Sequence, residues 1–308
     1  MTLTRKPVVA GTFYPRLEKD IIKLIDESFL DENFGIGKEF TIDNTKDGKR
    51  KVLGGISPHA GYIYSASCAA HTIQEIFREG APDTIIILGT QHTGYYNIGI
   101  MKNGIWKTPL GELNIDSVIS SDLIQESPEI IEDDSAFNGF PHGREHNIEV
   151  QLPLIQYAAK KAKKEITFVP IKIGQMEKNV LQDLGKAIAN VIKKYQNKDI
   201  AIIASSDMTH YQPRNPHNPE FEINNTQKIR DQAVIDAFKE FNWEKTLTKA
   251  NETTVCGPQT ITTLMIAAKE LGYKYAKDLK YFTSYEKMGS RTPCDYSVGY
   301  FSGIILNE

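Results

Sequence analysis

The chain has 308 residues and a formal charge of −3, from 36 basic and 39 acidic side chains, with 40% hydrophobic and 24% charged residues. These are values of a folded globular protein and exclude disorder, collagen-like repeats and disulfide scaffolds. No apolar run nears the roughly 20 residues needed to cross a bilayer, the basic opening lacks the apolar core of a signal peptide, and no long basic run offers a footprint for nucleic acid. Three scattered cysteines, Cys68, Cys256 and Cys294, suit a reducing compartment. The expectation is a cytoplasmic protein with neither membrane nor nucleic acid as partner.

Leu17, Ile21, Leu24, Ile25 and Phe29 recur at helical spacing after Pro15, predicting an amphipathic helix. A polar loop from Asp31 to Lys51 follows, and Lys49-Arg50-Lys51 at its end reads as solvated charge. Four Val- and Ile-rich runs, Val52 to Ser57, Thr84 to Thr90, Ile166 to Ile173 and Asp199 to Ser205, read as buried strands. Between and after them lie helical patterns: Ile148, Leu152, Ile155 and Ala159, with Pro153 kinking the helix or delaying its start; Leu181, Leu184, Ile188, Val191 and Tyr195; and Ile229, Ala233, Ala237 and Phe241. Alternating stretches from Asp278 to Met288 and from Asp295 to Leu306 read as a terminal hairpin or neighbouring strands. Helices alternating with strands predict an α/β sheet flanked by helices. With no linker or repeat, residues 1–308 read as one domain.

Three of the predicted strands run into a histidine: His59 after Ser57-Pro58, His92 after Thr90-Gln91, and His210 after Ser205-Ser206-Asp207-Met208-Thr209. In a mostly parallel sheet the carboxyl ends share one edge, where ligands bind, so the three imidazoles can meet. Cys256 in Val255-Cys256-Gly257-Pro258 precedes the helical pattern Ile261, Leu264, Met265, Ala268; a helix N-terminus favours thiolate, and a free cysteine reads equally as a small buried hydrophobe. If His59, His92 and Cys256 converge, they form a set suited to copper, iron or zinc and unsuited to magnesium or calcium. Three ligands leave coordination positions open, with His210 as a base outside the ligand set and Asp207 orienting an imidazole or the loop. His142 and His146 form a rival pair at i, i+4, but Pro141 and Gly143 point to a turn there. Glu145 and Glu149 read as a helix-start network or as support for the site. Cys68 and His71 read as packing residues, Cys294 carries no sign of reactivity, and His217 sits in a Pro213 to Pro219 loop long enough to act as a lid.

The stretches Arg5 to Pro15, Pro58-His59-Ala60-Gly61-Tyr62-Ile63-Tyr64-Ser65, Glu145 to Pro153, Ser205 to Tyr211 and Val255-Cys256-Gly257 resemble, in fixed order, the Memo family, mediators of receptor-driven cell motility. The resemblance runs from residue 5 to about residue 303. It implies a three-layer α/β/α sandwich around a largely parallel or mixed sheet, similar to class III non-haem iron extradiol dioxygenases. His59, His92 and Cys256 then correspond to metal-site residues, Asp207 and His210 line the same pocket, and Tyr64 matches a further pocket position. A cysteine stands where the dioxygenases have a carboxylate. That softer donor shifts the site toward copper chemistry and away from stable iron(II) oxygen activation.

Three functions follow as expectations. The first is a metal-dependent redox protein using copper or iron on a small molecule or peptide, with His210, Asp207 and Tyr64 as catalytic residues. The second is a peptide or phosphotyrosine binding module in which Arg214, Arg144 and Arg291 supply forked contacts. The third is a zinc hydrolase on the same ligands. The resemblance also implies radical-SAM and AMMECR-type proteins as companions of microbial members.

Overall fold

The computed structural model describes residues 3–43, 50–92, 94–138 and 145–307, in which twelve strands form one mixed sheet. At its centre Thr167–Ile173, Thr84–Thr90, Ile200–Ser205 and Val52–Ser57 lie side by side, all parallel. Ser297–Leu306 adds to Val52–Ser57 in the opposite direction, and Tyr275–Thr283 pairs with it as the expected terminal hairpin. Successive side chains of a strand point to opposite faces, and here both faces are covered. Ile85 and Ile87 pack with the helices Glu18–Leu30, Tyr62–Arg78 and Gln151–Ala162, whereas Ile86 and Leu88 pack with Lys178–Lys194, Lys228–Lys239 and Pro258–Glu270. The result is a three-layer α/β/α architecture. None of the helices among the described residues is long and apolar enough to cross a membrane.

The local differences from expectation have physical causes. Pro153 is the third residue of Gln151–Ala162, where a helix has no use for the missing N–H, so it marks a start and makes no kink. Of the face expected at Ile229, Ala233, Ala237 and Phe241, Ala237 is buried but Ile229 is 60% exposed, and the buried set is Asp231, Val234, Ile235, Ala237 and Phe238. A buried carboxylate disguises that face: Asp231 accepts the Thr209 backbone N–H at 2.9 Å and the Tyr281 hydroxyl at 2.7 Å. The stretch expected to remain extended to Met288 stops at Thr283, because Thr283 and Glu286 form a reciprocal capping box that opens the helical turn Ser284–Lys287. Arg50 is not solvated. It is buried and forks onto both carboxylate oxygens of Asp199 at 2.8 Å. The short strands Ile98–Ile100, Ile105–Thr108, Gly111–Ile115 and Ile130–Glu132 have no long β-branched run to announce them.

The N-terminal segment is fastened by one carboxylate. Glu149, fully buried, accepts from Arg5 Nη1 at 2.6 Å, from the Tyr14 hydroxyl at 2.7 Å and from the backbone N–H groups of Val8 and Val9 at 3.0 Å. Arg5 also donates to the carbonyls of Phe137 and Glu145 and stacks on Trp106. Removing one partner of a buried pair strands the others without water. Glu149→Ala is expected to lower stability by about 3–5 kcal/mol, read as a shifted urea midpoint with Glu149→Gln losing less.

Candidate metal centre

The parallel register puts Ser57 opposite Ser205 and Ala204 opposite Leu88, so the loops that follow leave the sheet from one edge. His59 is held at two points. Its backbone N–H donates to Asp207 Oδ1 at 2.8 Å, and its ring Nδ1 lies 3.0 Å from Ser205 Oγ. The Ser205 hydroxyl has one proton, directed at the Asn147 carbonyl at 2.8 Å, and it also receives Gln151 Nε2 at 3.0 Å. Gln151 cannot turn its amide over, because its Nε2 also donates to the Pro58 carbonyl at 3.0 Å, which an amide oxygen could not do. Nδ1 of His59 must therefore be the protonated nitrogen. This leaves the Nε2 lone pair facing the Cys256 sulfur, 3.3 Å away.

Cys256 lies in the turn before Pro258–Glu270. Its Sγ accepts the Asp207 backbone N–H at 3.1 Å, and its carbonyl accepts the Thr90 hydroxyl at 2.7 Å. Gly257 makes this close approach possible, since a Cβ there would lie 2.7 Å from Ser206 Cβ. His92 is positioned through Asn147, whose amide pairs with the Thr90 backbone and whose Nδ2 lies 3.3 Å from His92 Nδ1. Gly89 leaves room for that amide; a Cβ would sit 2.4 Å from Asn147 Oδ1. The ligand atoms of His59, His92 and Cys256 all fall within 4.8 Å of one another. The three residues, far apart in sequence, converge as the strand ends predicted.

The electrostatics suit a cation. Burial, with His146 and His210 nearby, holds His59 well below the usual imidazole range, and burial with the neighbouring rings lowers His92 too. Both rings are thus neutral at neutral pH, the form that ligates metals. Of the two readings of Cys256, the buried one describes the thiol: burial, reinforced by Asp207, pushes it up. A bound cation deprotonates such a thiol outright. Burial also lifts Asp207 to about 6, against the pull of the His59 N–H.

His59, His92, Asp207, His210 and Tyr64 all line a cleft of about 710 Å³, walled by Phe13, Tyr285 and Tyr300 among others. Sequence reasoning undervalued His146. Its ring stacks on His92 at 4.8 Å, sits 5.9 Å from His59 and lines the same cleft. His142 and Arg144 lie outside the described residues. Of the other two arginines Arg291 lines the cleft, whereas Arg214 and the Pro213 to Pro219 loop do not, so the expected lid is no part of its wall. Cys294 does line it. Cys68 packs with Phe282, Val298 and Tyr300, and His71 meets the Phe34 carbonyl at 3.3 Å. Ser205, Gln151 and Asn147 were missed; their signal was polar residues in buried strand and helix-start positions. Partners that orient a ligating histidine are worth roughly 10–100-fold in metal affinity. Ser205→Ala and Gln151→Ala are each expected to weaken cobalt binding by about that factor without unfolding the protein, measured by chelator competition.

The family profile described as Memo-like protein matches residues 5–304. A MEMO1 family protein of Thermococcus onnurineus is 34% identical, covering 97% of this chain and 98% of the relative. Another from Sulfurisphaera tokodaii is 38% identical over 97% and 98% of the two chains, and one from Desulfurococcus amylolyticus 38% identical over 96% of each. With the match extending across the sheet edge and every residue gathered there, this chain belongs to the Memo family.

Proposed function

We propose that the chain binds a redox-active transition ion, copper or iron, on His59, His92 and Cys256, and applies it to a small organic molecule or peptide side chain held in the aromatic cleft. The carrying observation is the approach of two neutral imidazoles and one sulfur. The 3.3 Å between His59 Nε2 and Cys256 Sγ is close to the roughly 3.6 Å edge of a tetrahedron with bonds of about 2.0 and 2.3 Å. The sulfur argues for copper, iron or zinc over hard cations. A bound copper or iron ion supplies electron exchange and Lewis acidity at the positions left open by three protein ligands.

The protein's own part is positioning and proton handling. Tyr64, Tyr285 and Tyr300 line the cleft, where aromatic walls hold planar apolar groups and keep water out. Asp207 and His210 face the same space, and a carboxyl lifted to about 6 sits near the pH at which it exchanges protons readily. This is the oxygenase-like reading, with Asp207, His210 and Tyr64 as catalytic residues. A second reading, recognition of a phosphotyrosine peptide in the same cleft, is favoured by Arg291 on its wall. Titration with phosphorylated and unphosphorylated peptides separates the two, and no preference removes the second.

Reduced protein loaded anaerobically with one equivalent of ferrous or cuprous ion is expected to retain it through desalting. Cys256→Ser should lose it, with affinity falling by more than the ~10–100-fold of an orienting partner, while His210→Ala should keep it. Equal, substoichiometric metal in the wild type and Cys256→Ser would remove this reading.

A further inference from the structure

His210 is built like a ligand that has no counterpart. It pairs with Val298 at the edge of the sheet, and its Nδ1 lies 2.5 Å from the Tyr296 hydroxyl. The other nitrogen, Nε2, is buried and finds no hydrogen-bond partner among the described residues. A buried polar atom left unpaired is unfavourable unless something occupies it. The ligand atoms of His210, Asp207 and Cys256 lie within 4.8 Å of one another, as do those of His59, His92 and Cys256. With Nδ1 engaged, the nitrogen free for an ion is Nε2. The Asp207 carboxylate takes the backbone N–H groups of His59 and Ala60, and its Oδ2 lies 3.9 Å from His59 Nε2.

The two triads repeat one design. In each, a histidine is anchored through Nδ1 by a hydroxyl, Ser205 for His59 and Tyr296 for His210, and turns Nε2 inward. Orientation by such an outer partner is the usual support of a ligating histidine. Among the described residues no larger set has all its ligand atoms within 4.8 Å. Ligands on opposite sides of one ion stand only about 4.0–4.6 Å apart, so a single ion does not collect all five groups.

We propose that the cleft is a two-ion site in which the Cys256 sulfur bridges one ion on His59 and His92 and a second on His210 and Asp207. This rests on the reading above for its first ion and for the shared sulfur. Paired ions in such sites stand roughly 3.5–4 Å apart, which a single bridging sulfur spans. Two divalent ions against one thiolate and one carboxylate leave two net positive charges, so the paired site selects an anionic ligand or a bridging hydroxide.

The test is anaerobic titration of the full chain with cobalt(II) chloride, followed by sulfur-to-cobalt charge-transfer absorption and by native mass spectrometry. The wild type is expected to bind two cobalt ions, and His210→Ala and Asp207→Asn one each, both keeping the charge-transfer band. Tyr296→Phe, which removes the hydroxyl that anchors His210 Nδ1 but no ligand atom, should weaken only the second ion, by roughly 10–100-fold, and covers the case in which a ligand variant misfolds. Saturation at one ion in the wild type, unchanged in both variants, overturns the second ion and leaves the first intact. One ion in the wild type and none in His210→Ala makes His210 a ligand of a single centre and also overturns the proposal. No cobalt in the folded wild type sinks the first reading instead.

Discussion

A slip of one residue between Ile200–Ser205 and Val52–Ser57 would dismantle the cleft. Strand side chains alternate between faces, so such a slip turns every one of them over. In the observed register Ser205 stands opposite Ser57, which lets both hydroxyls reach the single amide of Gln151 and lets Ser205 fix the His59 tautomer. The Ile200–Ser205 strand itself is held in the sheet by apolar burial on both faces. Ile202 and Ala204 belong to one core and Ala201 and Ile203 to the other, all fully buried. Each fully buried aliphatic side chain contributes about 1.5–3 kcal/mol, far beyond what the hydroxyl contacts at the edge supply. The core therefore decides where the site chemistry sits.

That hierarchy explains what could be read in advance. Central strands made of Ile and Val, and histidines one step past their ends, are legible because period and composition carry them. The residues that make those histidines useful are polar side chains in positions that pattern assigns to core or to helix starts. Asn147, Gln151 and Ser205 each look unremarkable alone; only the fold shows that their donors and acceptors close on one another. Asp231 was hidden in the same way, since a carboxylate on a helix is normally counted as solvent-facing. For Cys256 the place at a helix start is visible in sequence, whereas the desolvation that decides between thiol and thiolate is not.

Charge balance in the cleft follows from the same burial. Three imidazoles face one another, with His59, His92 and His146 within 6 Å centroid to centroid, and burial disfavours the charged forms of His59 and His92. These two rings therefore stay neutral and offer lone pairs. With both of those rings uncharged, the cleft carries little positive charge to repel a cation. A site arranged this way gains its anionic ligand at the moment of binding, which ties metal uptake to proton release.

The segment from Glu145 to Gln151 joins this chemistry to the rest of the molecule. Its turn is helical enough for Val150 N–H to reach the His146 carbonyl at 2.9 Å, so residues four apart share a side. Glu145 and Glu149 take one side; Glu145 accepts the Ile148 N–H at 2.6 Å and Glu149 gathers the N-terminal segment. Asn147 and Gln151 take another and hold the two ends of the sheet edge, while His146 lies between them against His92. The N-terminal segment in turn sets Phe13 against His146 at 5.1 Å and accepts the Tyr62 N–H through the Phe13 carbonyl. Loosening Glu149 would thus free a wall of the cleft as well as the first strand, so stability and site geometry rest on one buried carboxylate.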